Sequence, residues 1–179
     1  GLVGSEMCIR DSFKEYIVKR ELSQNERISK VFIIIAAVAL ASCCVIFTFG
    51  TTLSLFGILF AFICFYLGYQ LIAKYFIEYE YIITNADLDI DKIVNQSKRK
   101  RLCTIDLHKV TACGKCGDDF EADTDDTLVL ASANNPELEN YYLRFTHKQF
   151  GNAVLVFTPS VEFIELIKPF IPRSVKTDF

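Results

Sequence analysis

Two uncharged runs decide the fold: Val31–Phe49, VFIIIAAVALASCCVIFTF, and Thr52–Ala73, TLSLFGILFAFICFYLGYQLIA. Each is close to 20 residues. At about 1.5 Å rise per helical residue each spans about 30 Å, the hydrocarbon thickness of a bilayer. Gly50 and Thr51 leave almost no chain between them, so residues 31–73 read as a tight transmembrane helical hairpin (31–49, 52–73). A cleaved signal peptide fits the first run poorly, because the run is too long and a second follows at once. Neither run contains an ionisable acid, base or histidine, which argues against an ion or proton pathway. Ala37, Ala41, Cys44 and Thr48 are small residues at helical spacing, and Gly57, Ala61, Cys64 and Gly68 repeat that spacing. Such seams let backbones approach where no hydrophobic force drives association. Packing of the two helices on each other accounts for them more simply than a dimer face or a transport path.

Working outward, the cations set the orientation. Lys14, Lys19, Arg20, Arg27 and Lys30 precede the first run; Lys74 and then Lys98-Arg99-Lys100-Arg101 follow the second. The turn has none, so the positive-inside rule places both termini in the cytoplasm, with a two-span, multi-pass anchor in the membrane. Residues 31–73 carry no charge, whereas residues 74–179 carry 13 Lys/Arg against 17 Asp/Glu. This distribution excludes an ordinary soluble domain, a disordered chain and a pure membrane bundle. The pI near 5.4 speaks against a nucleic-acid partner. Leu2–Ser12, LVGSEMCIRDS, resembles a translated sequencing adapter, so residues 1–12 are set aside and native sequence is expected from near Phe13. The expected organisation is a cytoplasmic N-terminal segment at 13–30, the hairpin at 31–73 and a cytoplasmic domain at 75–179.

Beyond Lys74 the hydrophobic period becomes two. Glu78–Thr84 alternates, Asn85-Ala86-Asp87 supplies a turn, and Leu88–Asp91 alternates again. Leu102–Val110, Thr127–Ala131, Tyr141–Thr146 and Ala153–Phe157 read as further strands. Thr158 is the expected N-cap of a C-terminal helix with Pro159 at its first position. Val161, Ile164, Leu166, Ile167 and Phe170 form its expected apolar face, Pro169 kinks or ends it, and Pro172 stops it. The fold class is α+β: a transmembrane α-helical hairpin plus a small antiparallel sheet or barrel of six strands plugged by one helix.

The runs EYEYIITNADLDIDKI (78–93), KRKRL (98–102) and PSVEFIELIKPFIPRSV (159–175) resemble a family of uncharacterised bacterial membrane proteins in which a two-helix hairpin precedes a pleckstrin-homology (PH)-like domain. The resemblance covers residues 13–179 and implies a PH-like β-barrel or sheet. It carries no known chemistry.

Candidate chemistry is sparse. Cys113-Gly-Lys-Cys116 is a CxxC, a motif shared by redox centres and half zinc sites. Loop-type residues and acids follow it, and Cys103 and His108, five apart on one strand, would face opposite ways. His147 is the only other histidine. Two ordinary loop thiols are the expectation, and a cytosolic setting opposes structural disulfides. The run Asp118–Asp126 holds six carboxylates but lacks the sixth-position Gly and twelfth-position Glu of a calcium loop. No nucleophile–His–acid set, GxGxxG or P-loop can be assembled, so neither an enzyme nor a cofactor is expected. The basic run Lys98, Arg99, Lys100, Arg101 remains. The strand leaving the membrane and its returning partner would bring it back near the bilayer, where each cation gains about 1 kcal/mol from anionic lipid. Glu137 and Glu139 fit that placement badly. The expected function is a non-enzymatic, membrane-anchored PH-like module binding anionic lipid headgroups or another membrane protein. The alternatives are a thiol-redox or zinc protein centred on Cys113 and Cys116, with Cys103 and His108, and a structural accessory subunit.

Overall fold

The computed structural model describes residues 13–117, 126–147, 151–175 and 177–178. The adapter-like stretch and most of the acidic run lie outside these residues. The chain divides into two compact units.

The helical unit takes in Lys19–Glu78 and Ile93–Arg99. It holds α1 (Gln24–Thr48) and α2 (Ser54–Ala73). The first helix starts before the apolar run because Ser23 caps it: the Ser23 amide donates to Glu26 Oε2 at 2.9 Å. Gly50, at φ +75°, turns the chain in the left-handed region after α1. The small-residue seam is the contact between the helices. Ala41, Gly57, Ala61 and Gly68 are buried. A Cβ on Gly57 would collide with Thr48 Oγ1 and sit 2.9 Å from the Cys44 carbonyl oxygen; one on Gly68 would sit 3.0 Å from Ala37 Cβ. Polar side chains are satisfied within the helices, with Ser42 Oγ donating to Val38 O and Thr48 Oγ1 to Cys44 O, both at 2.8 Å. Large apolar residues cover the outside, Phe47 being 84% exposed and Leu55 76%. Both helices are long and apolar enough to cross a membrane.

The β unit takes in the described residues of Gly1–Val18, Tyr79–Lys92 and Lys100–Phe179. Strands β1 (Phe13–Lys19), β2 (Ile77–Thr84), β3 (Asp87–Val94) and β4 (Lys98–Asp106) form one sheet in that order. A two-residue turn with Asn85 at φ 58° joins β2 to β3. Strands β5 (Val110–Lys115), β6 (Thr127–Ala131), β7 (Tyr141–His147), β8 (Gly151–Phe157) and β9 (Thr177–Asp178) form a second sheet, ordered β6-β8-β7-β5-β9. This sheet is mixed: β7 pairs antiparallel with β5 and β8, whereas β6 runs parallel to β8 and β9 parallel to β5.

The expectation of six antiparallel strands in a possible barrel is therefore corrected. Among the described residues each sheet keeps two edge strands, β1 and β4 in one and β6 and β9 in the other, so these strands form no closed barrel. Strand β1 comes from the polar segment before the helices, where no strand was expected. The single strand expected over 102–110 is two, because the Asp106 carboxylate accepts from His108 N at 3.1 Å and caps a 3₁₀ turn at Leu107–Lys109.

The core is aromatic. Tyr81, fully buried, lies 5.6 Å from Phe157, 5.9 Å from Phe163 and 6.1 Å from Tyr16 between ring centroids. Its hydroxyl donates to Ala131 O and accepts from Thr158 N at 3.2 Å, so burying a phenol leaves no orphaned oxygen. Helix α3 (Val161–Ile167) contributes Phe163, Ile164 and Ile167 to this core. Its cap is Ser160, whose Oγ accepts from Phe163 N at 3.2 Å, rather than Thr158. The Thr158 hydroxyl instead donates to Asn140 Oδ1 at 2.7 Å and accepts from Ala133 N at 2.9 Å. Val161, expected on the apolar face, is 73% exposed. A 3₁₀ turn containing Pro169 ends the helix as expected.

Candidate functional site

The basic run forms the first half of β4 rather than a loop, and all four side chains are exposed. They are not equivalent. Arg101 reaches back to β3, with Nη1 2.9 Å from Asp89 Oδ2 and Nε 2.9 Å from Asp91 Oδ1. The Asp91 side chain is only 3% exposed, so Arg101 neutralises a buried carboxylate and is committed to the fold. Among the described residues no ion pair engages Lys98 or Lys100. Lys98 and Arg99 belong to the helical unit. The turn before them is anchored there: Asn95 N donates to Phe76 O at 2.8 Å, three residues beyond the last residue of α2.

A second group of cations lies in the same unit and was read from sequence only as an orientation signal. Arg20 N donates to Ile77 O at 3.0 Å, tying the end of β1 to the start of β2. The Arg20 guanidinium pairs with Glu26 at 3.0 Å. Arg27 Nε donates to Leu22 O at 3.2 Å, and its Nη2 lies 3.7 Å from Glu21 Oε2. Lys30 Nζ sits 5.1 Å from the centroid of the Phe76 ring.

The first cysteine of the CxxC is on a strand and the second, Cys116, follows that strand. Cys113 lies on β5 opposite Leu143 and is 1% exposed. Gly114 is explained by packing, since a Cβ there would lie 3.2 Å from the Tyr142 ring. Burial pushes the Cys116 thiol up to about 11 and, with Asp89 nearby adding to it, the Cys103 thiol up to about 12. Neither is poised as a nucleophile or metal thiolate. Among the described residues no three His, Cys, Asp or Glu side chains are grouped to hold a metal ion. His108 stacks edge-on against Phe170 at 6.4 Å and His147 against Phe145 at 6.3 Å. The thiol and zinc alternatives thus have no support. Asp126, the last acid of the acidic run, pairs with Arg144 at 3.2 Å. Glu139, a poor fit to a membrane-facing position, is paired with Lys115 at 2.8 Å.

A family model described as "Bacterial PH-like domain (DUF6106)" matches residues 10–177. The chain belongs to this family. The DUF6106 match runs through both long helices, so they lie within the stretch that the family model describes, together with the two sheets and α3. It begins within the adapter-like residues, at residue 10. Neither a curated protein nor a solved structure matches the chain.

Proposed function

We propose that this DUF6106 chain is a non-enzymatic, membrane-anchored PH-like module at the cytoplasmic face of a bacterial membrane. Its basic strand start binds the anionic headgroups of that face. The observation that carries the reading is the surface of α1 and α2. A core helix of a soluble protein buries its apolar side chains, whereas here the small residues are inside and Phe, Ile and Leu are outside. An apolar solvent makes that arrangement favourable, at about 25 cal/mol per Å² of apolar surface removed from water. With the helices in a bilayer, the turn bonded to Phe76 holds Lys98 and Arg99 near the exit of α2, with Lys100 next along the strand.

A bimane fluorophore on a single cysteine at Ser97, in full-length protein in nanodiscs, tests this. Quenching by headgroup-attached nitroxide is expected to be stronger in phosphatidylglycerol than in phosphatidylcholine, and to fall as salt shortens the screening length. It should also fall in K98Q/R99Q/K100Q. Equal quenching in both lipids and in the variant would refute the lipid contact. Arg101→Gln is the structural control: it should cost about 1–2 kcal/mol of stability through Asp91.

A partner membrane protein has separate support in β6. Among the described residues this strand is an edge of its sheet, and it carries Leu128 and Leu130 at 46% and 56% exposure. An open edge with apolar side chains is a template for strand addition. Photocrosslinkers at Leu128 or Leu130 should capture a discrete species in native membranes.

A further inference from the structure

We propose that the helical unit holds one anionic phospholipid by its phosphodiester, in a cleft at the ends of the two long helices. The inference rests on the membrane reading above but uses different residues from the basic strand. The cleft has a volume of about 260 Å³ and is lined by Lys19, Arg20, Arg27, Tyr75, Phe76 and Glu78 among others. That is just under the roughly 300–1,000 Å³ of typical small-ligand pockets. It has room for a headgroup, with the acyl chains left outside.

Three features select the occupant. The first is charge: the lining carries three cations, Lys19, Arg20 and Arg27, against two acids, Glu21 and Glu78. Arg20 is paired with Glu26 and Arg27 with Glu21, whereas Lys19 makes no ion pair among the described residues, so its single charge is the one left to meet a phosphodiester, which carries one negative charge. The second is preorganisation. Arg27 is pinned through Nε to Leu22 O, and Arg20 through Glu26, so both guanidinium groups are held in place before a phosphate arrives. The third is amphipathy. Leu22, Tyr75, Phe76 and Ile77 supply an apolar side to the same cleft, and aromatic residues at a membrane–water boundary sit at headgroup depth. A soluble phosphate would gain nothing from that apolar side, and a glycerophospholipid would.

The test is native mass spectrometry of the full-length protein in detergent, titrated with phosphatidylglycerol. Wild-type protein is expected to retain one phosphatidylglycerol and to discriminate against phosphatidylcholine. K19Q/R27Q is expected to weaken retention about tenfold or more, well beyond the loss in K98Q/R99Q/K100Q. Lys19 makes no ion pair among the described residues, so K19Q alone keeps the fold and should show part of the loss. Retention unchanged in both K19Q and K19Q/R27Q would overturn the proposal. So would equal retention of phosphatidylcholine, or displacement by excess inorganic phosphate. Loss of retention in K98Q/R99Q/K100Q alone would move the lipid to the basic strand, overturning this proposal and leaving the preceding one standing. Normal retention with no bimane response at Ser97 would do the reverse.

Discussion

At the scale of single residues, close approach and burial account for what motif reading left ambiguous. Gly57 and Gly68 were legible because a lipid-facing helix pair needs small residues where backbones meet, and repeats of four and three mark one face. Gly114 was not legible: its reason is the Tyr142 ring, brought beside it by strand pairing over a long sequence separation. The cysteines differ for the same reason, since burial decides their chemistry and spacing does not reveal burial. Cys116, with its thiol pushed up to about 11 from a usual 9.0, should hold roughly a hundredfold less thiolate at pH 8 than a free cysteine. A variant keeping only Cys116 is expected to react with iodoacetamide about a hundredfold more slowly than a model thiol at pH 8, and to accelerate up to pH 11. The sign extends to stability: a raised thiol pKa favours the folded state below pH 9, and that contribution is lost as pH rises through 11. Reaction at the rate of the free thiol would show that Cys116 is not desolvated.

At the scale of elements, the sequence was most readable where one period ran uninterrupted. The two apolar helices, β2, β3, β7 and the stop of α3 at Pro169 all follow from pattern. Strand β8 was legible as a strand but not by neighbour: Ala153–Phe157 is continuously buried, and such a run says that both faces are covered without saying which strand pairs alongside. Helix α3 is only seven residues long, too short for periodicity to fix its buried face, which is why Phe163 takes the place expected for Val161. Strand β1 was missed because its partners lie beyond both helices in sequence. Tyr16 on β1 nevertheless stacks 6.0 Å from Phe163, and Lys14 pairs with Glu162 at 3.2 Å. Tyr16→Ala is therefore expected to destabilise the β unit by about 2 kcal/mol, less than the roughly 3–5 kcal/mol of Phe163→Ala, because Tyr16 is only half-buried. Denaturation of the full chain followed by near-ultraviolet circular dichroism checks this. An unchanged midpoint for Tyr16→Ala would detach β1 from the core, and a fragment starting at residue 75 should be unstable for the same reason.

At the scale of the whole molecule, the central claim is that a PH-like unit is held at the cytoplasmic face by a two-helix anchor. The physics behind it is charge placement. From Phe13 onward five cations precede the apolar run at Val31, six follow α2 by Arg101, and the connection at Gly50-Thr51 carries none. Inverting the hairpin would require both charged flanks to be translocated, against the positive-inside bias. It would also remove Lys98 and Arg99 from the anionic leaflet. Single cysteines in a background without the native thiols measure this directly, probed with impermeant maleimide added to intact cells. The account predicts labelling of Gly50→Cys and Thr51→Cys from outside, and labelling of Ser97→Cys and Asn152→Cys only after lysis. Labelling of Ser97→Cys in intact cells would contradict it.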